Sequence, residues 1–143
     1  YAVSLETYLN NIKPKAANMD FDFEPLSQAV SEFLDASEQF DAHAADLTSQ
    51  LGEDIPWYRW WKKVALYVKV RRVNVKYRNL NREFLYEGGL DGRSWFKHVV
   101  FAPGLWTGYS GATYPGLVES FDAGDKENAM VRTLSFIWLS ISD

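Results

Sequence analysis

The spacing of apolar residues between Leu26 and Leu51 restricts the fold of this chain more than any other feature. Leu26, Val30, Phe33, Ser37, Phe40, Ala44, Leu47 and Leu51 recur at strict 4-3-4-3 intervals, and only Ser37 is polar. That is the repeat of one helix face and of a bundle seam. The segment is expected to be an amphipathic helix of about seven turns, roughly 40 Å long, closed by Gly52. Such a face must be covered by other helices.

Pro56 sits at an expected helix start, and neither Gly nor Pro recurs until Gly88. Within that run Leu66, Val70, Val73, Tyr77, Leu80 and Phe84 form one helical stripe. Trp57, Trp61, Val64, Val68 and Val75 form a second on another face. Val64, Leu66, Val68 and Val70 also alternate with period two, which would suit a strand. The stripe outlasts an ordinary strand, so a helix is expected. Lys62, Lys63, Lys69, Arg71, Arg72, Lys76, Arg78 and Arg82 fill its third face, as a solvated helix face would. A helix apolar on two faces needs two partners. Trp57, Trp61, Val64, Val68 and Val75, joined by Trp138, are therefore expected to be buried against another chain or a further domain.

Shorter elements flank these two. Ser4 to Ile12 carries Leu5, Leu9 and Ile12 on one face and stops at Pro14; Lys15 to Glu24 reads as a linker. A short helix is expected from Pro115 through Leu117, Val118 and Phe121 to Gly124, and a last one with Met130, Leu134, Ile137 and Ile141 at 4-3-4 spacing. Between the long helices lies Phe84 to Gly116, with seven glycines, two prolines and eight aromatics. So much glycine rules out a long helix, and so many aromatics argue against a disordered linker. An ordered irregular loop is expected, which is where binding residues tend to sit. The expected fold is all-α: one domain over residues 1–143, an up-and-down four-helix bundle with one long structured loop.

Composition narrows the function. With 47% hydrophobic and 16% aromatic residues in 143, one domain with a real core is affordable. A net charge of −4 argues against nucleic-acid binding. There is no cysteine, hence no disulfide, thiolate metal site or cysteine nucleophile. No run approaches the roughly 18 apolar residues of a membrane span, so no direct membrane insertion is expected. The opening Tyr1-Ala2-Val3, already in helical pattern, suggests a soluble piece of a larger protein.

Catalytic motifs are missing: no HExxH, no G-x-S-x-G, no phosphate-binding loop. His43 in DAHAAD has Asp46 three residues on, half a metal site at most; a solvent-facing helix edge fits better. His98 in WFKHVV is expected to be a hydrogen-bonded structural histidine rather than an acid-base catalyst. Glu53-Asp54 and Asp125-Glu127 fall where helix caps belong. No enzyme activity, metal or cofactor is expected of the chain itself.

YAVSLETYLNNI, FEPLSQAVSEFLDASEQF, REFLYEGGLDGRSWFKHVVFAPG and TGYSGATYPGLVESF together resemble the transferrin-receptor-like dimerisation domain of the glutamate carboxypeptidase II family. The resemblance covers nearly the whole chain in order, most specifically from Arg82 to Gly116. It implies a helical domain that holds two copies of a membrane-anchored, extracellular or lumenal ectodomain together beside a zinc peptidase domain, whose zinc ligands lie in that other domain. Self and the adjacent peptidase domain are then the expected partners. In the family's peptidases a Lys-Tyr pair in the loop matching Ala102 to Gly116 holds a substrate carboxylate. The matching residues here are Gly108 and Tyr109, so the hydroxyl is kept and the ammonium lost. A charge-assisted contact is worth about 1.5 to 3 kcal/mol against about 1 for a neutral one, so any preference for acidic substrates should fade. The resemblance thus leaves two roles: a non-catalytic homodimerisation domain, or an accessory domain completing a metallopeptidase pocket through Tyr109.

Overall fold

A computed structural model of the chain describes residues 1–105 and 110–141. Helix α1, Ala2–Ile12, gives way at Pro14 to a single 3-10 turn, Lys13–Ala16. Helix α2, Glu24–Gly52, begins where the Asp22 carboxylate accepts the Glu24 N–H at 2.9 Å, a side-chain cap within the expected linker. After a 3-10 turn at Trp57–Arg59, helix α3 runs from Trp60 to Glu83, so the run of β-branched residues is helical. Strands β1, Phe101–Pro103, and β2, Gly111–Thr113, pair antiparallel with Ala102 opposite Ala112.

Helix α4, Pro115–Ala123, starts on a left-handed Tyr114 (φ 47°) and ends on Gly124 at φ 69°, with proline at its N-terminus. These are the expected start and stop chemistries. Helix α5, Lys126–Ile141, begins a turn before its first apolar stripe residue, because the Asp125 carboxylate accepts the Asn128 N–H at 2.9 Å.

The helices divide into two compact units, Tyr1–Leu34 with Arg82–Asp143, and Asp35–Asn81. The first is organised around Phe84, whose ring lies 5.6 Å from that of Tyr1, 5.4 Å from Phe33 and 5.7 Å from Phe136. Leu5, Leu9, Leu26, Val30, Val100 and Tyr114 complete this core. The Tyr114 hydroxyl donates to the Leu5 carbonyl at 3.3 Å, so the buried phenol has a partner. A second aromatic cluster, Phe21, Phe23 and Phe121, ties the segment before α2 to α4.

The other unit is a helical hairpin with a narrow core. Leu47, Leu66 and Val73 are buried, with Phe40, Ala44, Leu51, Ile55 and Val70 partly so. Tyr77 stacks edge-on to Phe40 at 5.1 Å and donates to Asp41, which pushes its hydroxyl above the ordinary tyrosine value.

Three expectations change. The fold is mostly helical but not purely so, because the long loop folds back on itself as the β1–β2 ladder. The expected single bundle is not recovered as one compact body, since the helices divide between two units. The stripe Met130-Leu134 on α5 faces outward; Ala129, Thr133 and Phe136 are buried instead. Thr133 can occupy the core because its hydroxyl is satisfied by the Ala129 carbonyl at 3.0 Å. That frees the neighbouring face to carry exposed apolar residues.

Candidate functional site

Helix α3 carries the most conspicuous surface feature. Leu66 and Val73 define its inward face. At about 100° per residue, Trp61, Val64, Val68 and Val75 fall on the opposite side of the helix. All are exposed, Trp61 to 58%, and Trp57 in the preceding turn reaches 87%. Lys62, Lys69 and Lys76, each seven residues from the next, flank the inward residues Leu66 and Val73 rather than this stripe. Arg71 and Arg78 follow Trp61 and Val64 in the same heptad seam, so the stripe is apolar towards its N-terminal end and basic towards its C-terminal end. The aromatic surface extends beyond the residues singled out from the sequence. Trp60 and Tyr67, also seven apart and exposed, lie on the adjoining strip, and that repeat is legible in the sequence.

Trp138, grouped with this stripe in the sequence reading, belongs instead to the first unit. It is 69% exposed on α5, beside a groove of about 580 Å³ lined by Leu85, Tyr86, Val131, Leu134 and Leu139.

The glycine-rich loop is ordered by two arginines. Arg93 donates to the Pro103 carbonyl at 2.8 Å and pairs with Glu119 of α4. Arg132 of α5 donates to the Gly89 carbonyl at 2.5 Å and to Asp91 at 2.6 Å. Burial raises the Glu119 carboxyl above its ordinary value and outweighs the opposing pull of Arg93. Asp91, largely exposed, is lowered by its bond from Arg132. Gly89 sits at φ +65°, and a Cβ there would collide with the Ser94 carbonyl, so the turn requires glycine. The Gly104 N–H donates to the Ser110 carbonyl at 2.9 Å, closing the ends of the excursion beyond β1 and β2. Gly108 and Tyr109, the two residues expected at a substrate pocket, lie outside the described residues.

His98 is structural, as expected: its Nδ1 accepts the N–H groups of Val100 and Phe101, both at 3.1 Å, and its ring packs beside Phe84 and Phe101. His43 and Asp46 are exposed on α2, and among the described residues no three His, Asp or Glu side chains are grouped to hold a metal ion. That donor set does not fit zinc, which takes at least three protein ligands. Among the described residues no helix is long and apolar enough to cross a membrane.

Comparison with known proteins gives a consistent result. Residues 21–136 match the model of the transferrin receptor-like dimerisation domain. A 60-residue segment, 42% of the chain and 8% of the relative, is 43% identical to a probable glutamate carboxypeptidase of Arthroderma benhamiae. Over 105 residues, 73% of the chain and 13% of the relative, it is 30% identical to vacuolar protein sorting-associated protein 70 of Saccharomyces cerevisiae. An inactive zinc metalloprotease of Schizosaccharomyces pombe is 25% identical over 108 residues, 76% of the chain and 13% of that protein. The chain thus spans only a small part, 8 to 13%, of the length of these relatives.

Proposed function

The chain belongs to the transferrin receptor-like dimerisation domain family, and we propose that it is the non-catalytic domain through which two copies of a larger zinc-peptidase-like protein associate. The observation that carries this reading is the stripe of Trp57, Trp61, Val64, Val68 and Val75, which faces away from the hairpin's own core and is exposed. A solvent-facing strip of tryptophan and valine on a regular helix is the composition of a protein interface, where aromatic anchors supply most of the energy. Trp138 adds a second exposed anchor on α5, suited to the adjacent peptidase domain or to the second copy. By the family resemblance the whole protein is membrane-anchored, with this domain on the extracellular or lumenal side.

Sedimentation equilibrium of the chain from low to high micromolar concentration tests the reading. A monomer–dimer equilibrium is expected, abolished by Val64→Glu with Val68→Glu while helicity is unchanged. A strictly monomeric chain throughout that range removes it.

A contribution of Tyr109 and Gly108 to a substrate pocket is the second reading, and the β1–β2 ladder favours it by holding the two ends of their loop together. Tyr109→Phe in the full-length protein separates the roles. A raised KM with unchanged melting supports the pocket, whereas lost melting assigns Tyr109 to structure.

A further inference from the structure

We propose that His98 is an acid-sensitive latch on the glycine-rich loop: as a neutral ring its Nδ1 holds the backbone at the start of β1, and as a cation it lets that backbone go. The latch lies in the first unit and does not depend on self-association.

The state of the ring follows from what faces it. A backbone N–H can only donate, and two of them, those of Val100 and Phe101, meet Nδ1 at 3.1 Å each. Nδ1 therefore carries a lone pair, and the proton of the neutral imidazole sits on Nε2. A second proton has to enter at Nδ1, the nitrogen already engaged. It would take the acceptor from both N–H groups and set a third N–H against them. Val100 is fully buried, so water cannot take over as acceptor unless the loop opens.

The charges around the ring oppose a further positive one. Lys97 and Arg132 line the cavity beside it, with the phenols of Tyr86 and Tyr114 and, among the described residues, no carboxylate. Helix α1 contributes two more phenols, Tyr1 and Tyr8, which pack on Phe101. The acids of the neighbouring elements are engaged or exposed. Glu119 of α4 pairs with Arg93 and Asp91 with Arg132, while Glu83 and Glu87, on either side of the Leu85 that bridges to His98, are exposed. The rings of Phe84 and Phe101, 6.3 and 5.5 Å away, would attract a cation, but weakly beside two lost backbone bonds.

Release of the two amides would spread. The Val100 carbonyl accepts the Tyr114 N–H at 2.8 Å, the Val99 N–H donates to the Phe84 carbonyl at 2.9 Å, and Phe101 opens β1. The latch thus joins the aromatic centre of the first unit to the β1–β2 ladder and to the start of α4. An unconstrained histidine takes up its proton near about pH 6.5, and the folded ring resists doing so. The stability supplied by the latch is therefore complete above that value and declines as the pH falls below it, until the folded ring is protonated too.

Amide exchange and an NMR titration of the full chain, from about pH 7.5 to about pH 5, test the latch. The His98 ring is expected to take up its proton below the range ordinary for histidine. Protection of the Val100 and Phe101 amides, corrected for the intrinsic exchange rate at each pH, should fall with it by at least about tenfold. His98→Asn puts a non-titrating amide oxygen at the Nδ1 position, able to accept both N–H groups, so protection should survive and stay level across the range. His98→Ala should lose it at every pH. His43→Gln removes the other histidine of the chain and should leave the acid transition as it is. If His98 titrates at or above the ordinary histidine range, or if acid leaves protection at Val100 and Phe101 unchanged, the latch is refuted. An equal acid loss in His98→Asn refutes it as well, by assigning the transition to another group. The titration of the unaltered chain decides the matter should neither His98 variant fold.

Discussion

The two compact units are both helical, yet only the first buries large aromatic rings completely, even though its Trp95 and Trp138 are exposed. In the first, Phe84, Tyr114 and Phe136 are fully buried, and the buried hydroxyls of Tyr114, Ser120 and Thr133 all reach backbone carbonyls. In the second, Leu47, Leu66 and Val73 are buried while Trp57, Trp60, Trp61 and Tyr67 face solvent. An aromatic-rich composition therefore marks a closed core in the first unit and a mainly exposed aromatic face in the second. A fold is complete where large side chains have dry neighbours, and a surface awaiting a partner is where they do not.

The sharpest way to break this contrast is at Phe84. It touches Tyr1, Phe33, His98 and Phe136, so Phe84→Ala is expected to cost about 3 to 5 kcal/mol, most of the stability of a small domain. Thermal or urea unfolding measures it. A loss below about 1 kcal/mol would mean that the first unit is not held by its aromatic centre.

The loop clamp comes next in size. Arg132→Ala strips the Gly89 carbonyl of its donor and leaves the Asp91 carboxylate with that of Asn128, with an expected cost of about 1 to 3 kcal/mol because the carbonyl is left buried and unpaired. Asp91→Asn should cost far less, since the carboxylate is exposed. As Arg132 lowers the Asp91 pKa, its small contribution is present above the ordinary carboxylate range and fades as the pH falls through the lowered value. Equal losses from the two variants would assign the clamp to the ion pair rather than to the carbonyl.

Legibility follows the same division. The α2 stripe predicted its helix to within a few residues because one apolar face over many turns overrides local preference. The α3 stripes separated correctly into an inward and an outward face, since both obey one helical period. Helix α5 misled, because Met130 and Leu134 are the larger apolar residues, yet Thr133 and Ala129 are inside. Helical spacing identifies a face; it does not say which of two adjacent faces a neighbour covers. The Arg93 and Arg132 clamps were invisible for a related reason, as each joins residues 10 to 43 positions apart that only the folded loop brings together.

A further contrast should appear at high pH. Burial pushes the Tyr1 hydroxyl up to about 12 and raises Tyr114 as well. For a phenol whose folded pKa lies above its unfolded value near 10, the stabilisation is complete below that value and is lost as the pH rises through the folded one. The first unit is thus expected to weaken from about pH 10 towards pH 12. Tyr77 in the second unit is also raised, but by its exposed bond to Asp41, which water screens. Tyr114→Phe should remove part of the alkaline transition at a cost of about 1 kcal/mol near neutrality, the worth of one hydroxyl bond.

The smallest effect on stability belongs to the outward face of α3, and there the comparison is sharpest. Trp61 is more than half exposed and points away from Leu66 and Val73, so in dilute monomeric protein Trp61→Ala should shift the unfolding free energy by no more than about 0.5 kcal/mol. In concentrated protein the same change removes an anchor that the proposed dimer would bury, and self-association should weaken by about 1 to 2 kcal/mol, roughly five- to thirtyfold. Melting temperature measured against protein concentration reads both at once. For the unaltered chain it should rise with concentration, because assembly stabilises by mass action; for Trp61→Ala the rise should flatten while the dilute limit stays put. A drop in the dilute limit comparable to that of Phe84→Ala would place Trp61 in the hairpin's own core, and the distinction between a closed core and an exposed aromatic face would collapse.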